Sequence, residues 1–172
     1  MRGATQRHSA TRLYGLPAFG FVGYHAAMTV EHEESVQIEA PPERVWAVYT
    51  DVERWPEWSP VMRKIERLED ERLALGSTAR IEAKGGPPSV WTVTEFTDGR
   101  SFSWKSSARG VKLMAWHLIE ADGAGSKVKL GVRMSGLMAT IFAPFLRRVA
   151  KRNVKTEAEG LKRRCEGLTA DS

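Results

Sequence analysis

A single cysteine, Cys165, in a chain of 172 residues excludes an internal disulfide and leaves no thiol pair for a structural metal or a redox couple. A reducing, cytoplasmic setting is the expectation. No apolar run approaches the roughly 18 to 20 residues a membrane span requires. Histidine is scarce, at four, and no histidine or carboxylate pair has metal-ligand spacing, so neither a metal nor a cofactor is expected. Gly85 and Gly86 stand beside Pro87 and Pro88, but no GxGxxG or GxxxxGK[ST] pattern and no helix start follow. That segment reads as a loop between strands, not a phosphate cradle. Acidic residues are missing from positions 1 to 27, where Arg2, Arg7 and Arg12 supply three of the net +5 charges. The remainder is close to balance, so the pI near 9.6 is weak ground for a nucleic-acid partner.

With 42% hydrophobic and 27% charged residues, the chain has the composition of one ordinary globular domain able to bury a sizeable core. Residues 1–27 show no periodicity, and their apolar run from Leu16 to Tyr24 is interrupted by Pro17, Gly20 and Gly23. The expectation is a disordered extension or a start misplaced upstream of Met28, with a secretory signal and a transit-type presequence as the other readings. A ligand-binding domain over 28–168 and a tail over 169–172 complete the division.

The chain is organised around Ala40 to Pro60, APPERVWAVYTDVERWPEWSP. Pro41 and Pro42 end a strand and open a helix, because the amide that proline lacks would be unpaired at the first helical position. Glu43 complements the positive helix end, and Val45, Val48, Tyr49 and Val52 form one apolar stripe. Asp51 follows, to cap the helix or pair with Arg54, and Trp55-Pro56-Glu57-Trp58 leads out through Ser59-Pro60.

Before this segment, Val36, Ile38 and Ala40 alternate with polar residues in a strand from Glu33. After it, strands are expected at Val61–Leu68, Thr78–Ala83, Val90–Thr97, Arg100–Ser106, Lys112–Glu120 and Lys127–Met134, with Asp98-Gly99 a hairpin signal. Alternation places Trp91 and Val93, Phe102 and Trp104, Met114, Trp116 and Leu118, and Val128, Leu130, Val132 and Met134 on the inner face. It places His117 on the wet face. Past Gly136 the period becomes helical: Leu146, Ala150, Val154, Ala158, Leu161, Cys165 and Leu168 line one stripe of a helix from Phe145 to Glu166, with Pro144 beginning or kinking it.

The proline-led helix, the acidic residue after it and the Trp-Pro-x-Trp-Ser-Pro exit resemble the polyketide cyclase/dehydrase and lipid-transport family of the START/Bet v 1-like (SRPBCC) superfamily. The resemblance covers Glu33 to Gly167. It implies an α+β helix-grip fold, a curved seven-stranded antiparallel sheet around a long C-terminal helix, with a ligand cavity between them. The candidate lining is Trp91, Val93, Phe102, Trp104, Met114, Trp116, Leu118, Leu130, Val132, Met134, Phe142, Phe145 and Val149. An apolar, aromatic set without an inward acid, base or histidine suits binding, with transport as an extension of it, of a lipid-like, quinone or polyketide-like molecule held by shape.

A polyketide aromatase/cyclase is the alternative that the resemblance implies, but proton transfer needs a positioned acid or base, and no catalytic residue is assigned. A third reading rests on the last helix. There Arg147, Arg148, Lys151, Arg152, Lys155, Lys162, Arg163 and Arg164 outnumber Glu157, Glu159 and Glu166. Arg147, Arg148, Lys151 and Arg152 could dock on an anionic membrane, at about 1 kcal/mol per charge, or on a ribosome. The absence of interleaved aromatic residues argues against nucleic acid.

Overall fold

The structure, a computed structural model, describes residues 29–167. The expectations for residues 1–27, Met28, Leu168 and the tail 169–172 fall outside the described residues. The chain runs β1 (Val30–Ile38), α1 (Pro42–Thr50), a 3-10 turn (Val52–Glu57), β2 (Met62–Arg67), β3 (Thr78–Ala83), β4 (Ser89–Thr97), β5 (Ser101–Ala108), β6 (Val111–Asp122), β7 (Gly125–Ser135), α2 (Leu137–Ile141) and α3 (Ala143–Glu166). All neighbours in the sheet are antiparallel, in the order β1-β7-β6-β5-β4-β3-β2. Strands β2 to β7 form a meander, and β1 returns to pair with the last of them. The seven strands and the long helix match the α+β expectation.

Local chemistry accounts for the joints. Pro42 starts α1 and Pro144 starts α3 within their first turns, so Pro144 begins that helix without kinking it. Gly99 takes φ +70° in the turn between β4 and β5. Register shifts between Met62 and Lys64 and between Val93 and Glu95 mark bulges, which bend strands and sharpen their twist. The second bulge absorbs Thr94, so Val93 and Phe96 both face inward, opposite Trp104 and Phe102 respectively.

Helix α3 lies along the concave face of the sheet. Its buried stripe is Ala150, Val154, Ala158, Leu161 and Cys165, with Leu146 half-buried, as the helical spacing predicts. At its far end Lys162 Nζ donates to the Gln37 carbonyl at 2.7 Å, and Glu166 accepts from the Glu39 amide at 2.8 Å. Those bonds tie the helix to the end of β1. Helix α1 and the 3-10 turn close the same end: Val45, Tyr49, Val52 and Trp55 are completely buried, each valine worth about 1.5–3 kcal/mol relative to exposure. Trp55 Nε1 donates to the Tyr49 carbonyl at 2.9 Å.

The structure corrects two expectations. The larger concerns β6, where Met114, Trp116 and Leu118 lie on the outer face and Leu113, Ala115, His117 and Ile119 point inward. Cross-strand neighbours fix this register: Met114 stands between Lys105 and Arg133, Trp116 between Ser103 and Gly131, Leu118 between Ser101 and Lys129. Trp116 lies over Gly131, where an added Cβ would fall 2.3 Å from the ring. Its Nε1 donates to Glu33 at 2.8 Å. Both faces of β6 carry apolar residues, so its own alternation gave no direction, and one step of parity turned every side chain over. Second, of the two roles expected of Asp51 it takes the cap position at the end of α1 but not the pairing: Arg54 pairs with Glu57 at 2.8 Å, and Glu57 also receives Arg164 from α3 at 2.9 Å. Between Gly136 and α3 the chain forms the short helix α2.

Candidate functional site

Between the sheet and α3 the structure encloses a cavity of about 620 Å³, inside the range of small-molecule sites. One wall is the inner face of β3 to β7, with Ile81, Trp91, Trp104, Leu113, Ala115, Leu130, Val132 and Met134. The opposite wall is α3, with Leu146, Val149, Asn153, Val154 and Glu157. The mouth is formed by the Lys84–Pro87 loop, the β5–β6 turn at Arg109, and α2 with the start of α3. There Phe142 and Phe145 remain 53% and 63% exposed while lining the cavity. The deep end is built from buried Trp55, Trp104, His117 and Leu130, with Glu157 half-buried beside them.

The thirteen residues nominated from sequence therefore divide into three sets. Trp91, Trp104, Leu130, Val132, Met134, Phe142, Phe145 and Val149 lie on the cavity wall. Val93 and Phe102 face inward but are packed into the solid core: Phe102 stacks on His117 with centroids 4.3 Å apart and meets Tyr49 and Trp46 edge-on. Met114, Trp116 and Leu118 stand on the other side of the sheet.

Sequence reasoning missed the polar floor. His117, expected in water, is 4% exposed and surrounded by the rings of Tyr49, Trp55, Phe102 and Trp104. Its Nε2 stands 3.6 Å from Glu157 Oε1, too long for a hydrogen bond but a close polar approach. Its Nδ1 is buried without a hydrogen-bond partner among the described residues. Tyr49 Oη donates to the same Glu157 oxygen at 2.9 Å. Burial first, and then the Glu157 carboxylate, push the Tyr49 phenol well above its ordinary range. The phenol therefore stays a donor. Glu157, counted from sequence among the acids that answer the basic surface of α3, points inward instead. One signal could have found it: Glu157 falls three residues after Val154 and four before Leu161, within the apolar stripe. His117 had no comparable signal, because its face depended on the neighbours of β6.

This arrangement can hold a flat apolar molecule and offer it a carboxylate and an imidazole at one end. Among the described residues no group of three or more His, Cys, Asp or Glu could hold a metal ion. No helix among them is long and apolar enough to cross a membrane.

A curved seven-stranded sheet gripping a C-terminal helix around a cavity defines the START/Bet v 1-like class. The chain belongs to the polyketide cyclase/dehydrase and lipid transport family, whose pattern it matches over residues 29–166. Solved structures agree in fold. The Zhui aromatase/cyclase from Streptomyces sp. R1128 is 20% identical with a TM-score of 0.68, over 83% of this chain and 98% of that one. A START superfamily protein from Mycobacterium smegmatis is 17% identical with a TM-score of 0.65, over 81% and 99%. Ara h 8.0201 is 16% identical with a TM-score of 0.57, over 78% and 98%. No curated protein sequence matches the chain.

Proposed function

We propose that the protein binds and carries a hydrophobic, ring-bearing small molecule in the cavity between the sheet and α3. The observation that carries this reading is the cavity of about 620 Å³, walled by Trp91, Trp104, Leu130 and Val132 and opening beside exposed Phe142 and Phe145. Apolar walls give affinity through area removed from water, and membership of a family that includes lipid transport supports it. Native mass spectrometry of freshly purified protein is expected to find a co-purifying apolar compound. Protein that is empty and also shows no saturable binding of neutral quinone or polycyclic probes overturns the reading.

The Glu157–His117 approach at 3.6 Å favours a second reading, aromatase/cyclase-type proton transfer on a polyketide. Turnover of an aromatic polyketide precursor, lost in Glu157→Gln, would support it; binding without turnover rejects it.

Loading from a membrane fits the mouth. Leu137, Ile141, Phe142 and Phe145 are more than half exposed, beside Arg147, Arg148 and Lys151, none of which makes an ion pair among the described residues. Apolar side chains flanked by cations suit an anionic bilayer surface. Co-sedimentation with phosphatidylserine vesicles should fall with added salt and with charge reversal at Arg147, Arg148, Lys151 and Arg152; binding indifferent to both excludes this docking.

A further inference from the structure

We infer that the deep end of the cavity selects its ligand by a hydrogen-bond donor, a hydroxyl on an apolar ring body, and rejects ligands that end in a carboxylate. The inference rests on the proposed binding of an apolar molecule in this cavity and names the chemistry of its inner end. Glu157 decides it. Both close polar approaches to this side chain, Tyr49 Oη at 2.9 Å and His117 Nε2 at 3.6 Å, fall on Oε1. Oε2 has no partner among the described residues, and the side chain keeps 12% of its surface exposed at a position that lines the cavity. A carboxylate only accepts hydrogen bonds, so the unmet capacity of Glu157 is an acceptor's.

The charges around it point the same way. Lysine and arginine enter the lining only at Lys84 and Arg109, both in exposed loops at the mouth. None of the ion pairs among the described residues brings a lysine or arginine to Glu157. A second carboxylate brought to this end would meet a like charge between apolar walls, where Coulomb repulsion is little screened. A hydroxyl instead gives Oε2 a charge-assisted hydrogen bond. Trp55, Trp91 and Trp104 supply flat surfaces for the rest of the molecule. A free fatty acid is therefore the wrong guest, and a phenol or an alcohol on a fused-ring body the right one.

Three probes of one skeleton test this on the full-length protein: pyrene, 1-hydroxypyrene and 1-pyrenecarboxylate, read at neutral pH by energy transfer from tryptophan. The hydroxyl probe should bind about tenfold more tightly than pyrene, as one hydrogen bond to a charged group implies, and the carboxylate at least tenfold more weakly. In Glu157→Gln, where the amide can both donate and accept and the acceptor for Tyr49 is kept, the ratio between hydroxyl and carboxylate probes should collapse toward one. Saturable binding of all three with the carboxylate equal to or tighter than the hydroxyl in the wild type overturns the inference and leaves the cavity reading standing. A ratio unchanged in folded Glu157→Gln does the same. Absence of saturable transfer from all three overturns both. The wild-type ranking alone decides if the variant fails to fold.

Discussion

Replacing Gly160 by alanine sets two well-defined effects against each other. A Cβ at this position in α3 would lie 2.3 Å from the carbonyl oxygen of Trp58 and 3.3 Å from its carbonyl carbon and Cε3. Ordinary carbon–oxygen contacts are about 3.3 Å or longer, so helix and loop must part by about 1 Å. The obstacle is backbone, and that backbone is anchored: the Trp58 and Ser59 amides both donate to the Trp55 carbonyl, and Trp55 is fully buried. Helix propensity favours alanine by about 1 kcal/mol. Against that, the shift disturbs Ala158, Leu161 and Cys165, all buried, and overpacking of this kind costs about 1–3 kcal/mol, occasionally more. With the backbone contact placing the cost at or above the upper end, the net loss is about 2 kcal/mol, or a Tm lower by about 4–8 °C for a chain of this size. The same movement draws Glu157, one turn earlier, away from Tyr49 and should weaken binding of a hydroxylated probe. Thermal melts followed by circular dichroism, with urea titration alongside, measure the effect. A Gly160→Ala variant as stable as the wild type, or more so, would refute the close-contact argument.

Three further perturbations separate the parts of the structure. Tyr49→Phe removes the donor to Glu157 and should cost about 1–3 kcal/mol at pH 7 by urea unfolding. Because burial and Glu157 raise the phenol's pKa in the fold, its contribution is present below the ordinary tyrosine value near 10 and is lost as pH rises above it, so the gap between wild type and variant should narrow in that range; a gap that widens above pH 10 contradicts the assignment. Trp104→Ala should change the affinity for an apolar probe about tenfold or more, since the ring lines the cavity, whereas Trp116→Ala, on the outer face, should leave it within about twofold while losing the bond to Glu33; equal effects would mean that the β6 register is wrong. Burial pushes the Cys165 thiol up to about 11, so iodoacetamide at pH 8 should label the native protein at least about 100-fold more slowly than the urea-unfolded chain; equal rates would show that the thiol is accessible.

Much of the fold could be read from side-chain periodicity. The stripe Ala150, Val154, Ala158, Leu161 and Cys165 announced α3, and the double proline at 41 and 42 announced α1, because each signal is local and one-sided. The candidate site was legible only where a strand has one apolar face. Strand β7 shows this: Leu130, Val132 and Met134 alternate with Lys129, Gly131 and Arg133, and all three line the cavity. Strand β6 offered Met114, Trp116 and Leu118 on one parity and Leu113, Ala115 and Ile119 on the other, so hydrophobicity could not choose between them. The choice fell to the larger side chains, and it moved His117 to the wrong side.

The sequence by itself determined the order and character of the elements, since prolines, glycines and apolar spacing act within a few residues of where they stand. Tertiary structure alone decided which side of β6 turns inward, because that depends on the hydrogen-bonded register with β5 and β7 and on Gly131 making room for the Trp116 ring on the outside. It also decided that Tyr49, His117 and Glu157, from a helix, a strand and a second helix, the first and last 108 residues apart, meet at one point. Side chains so far apart in the chain become neighbours only through packing, and no local pattern encodes their distance.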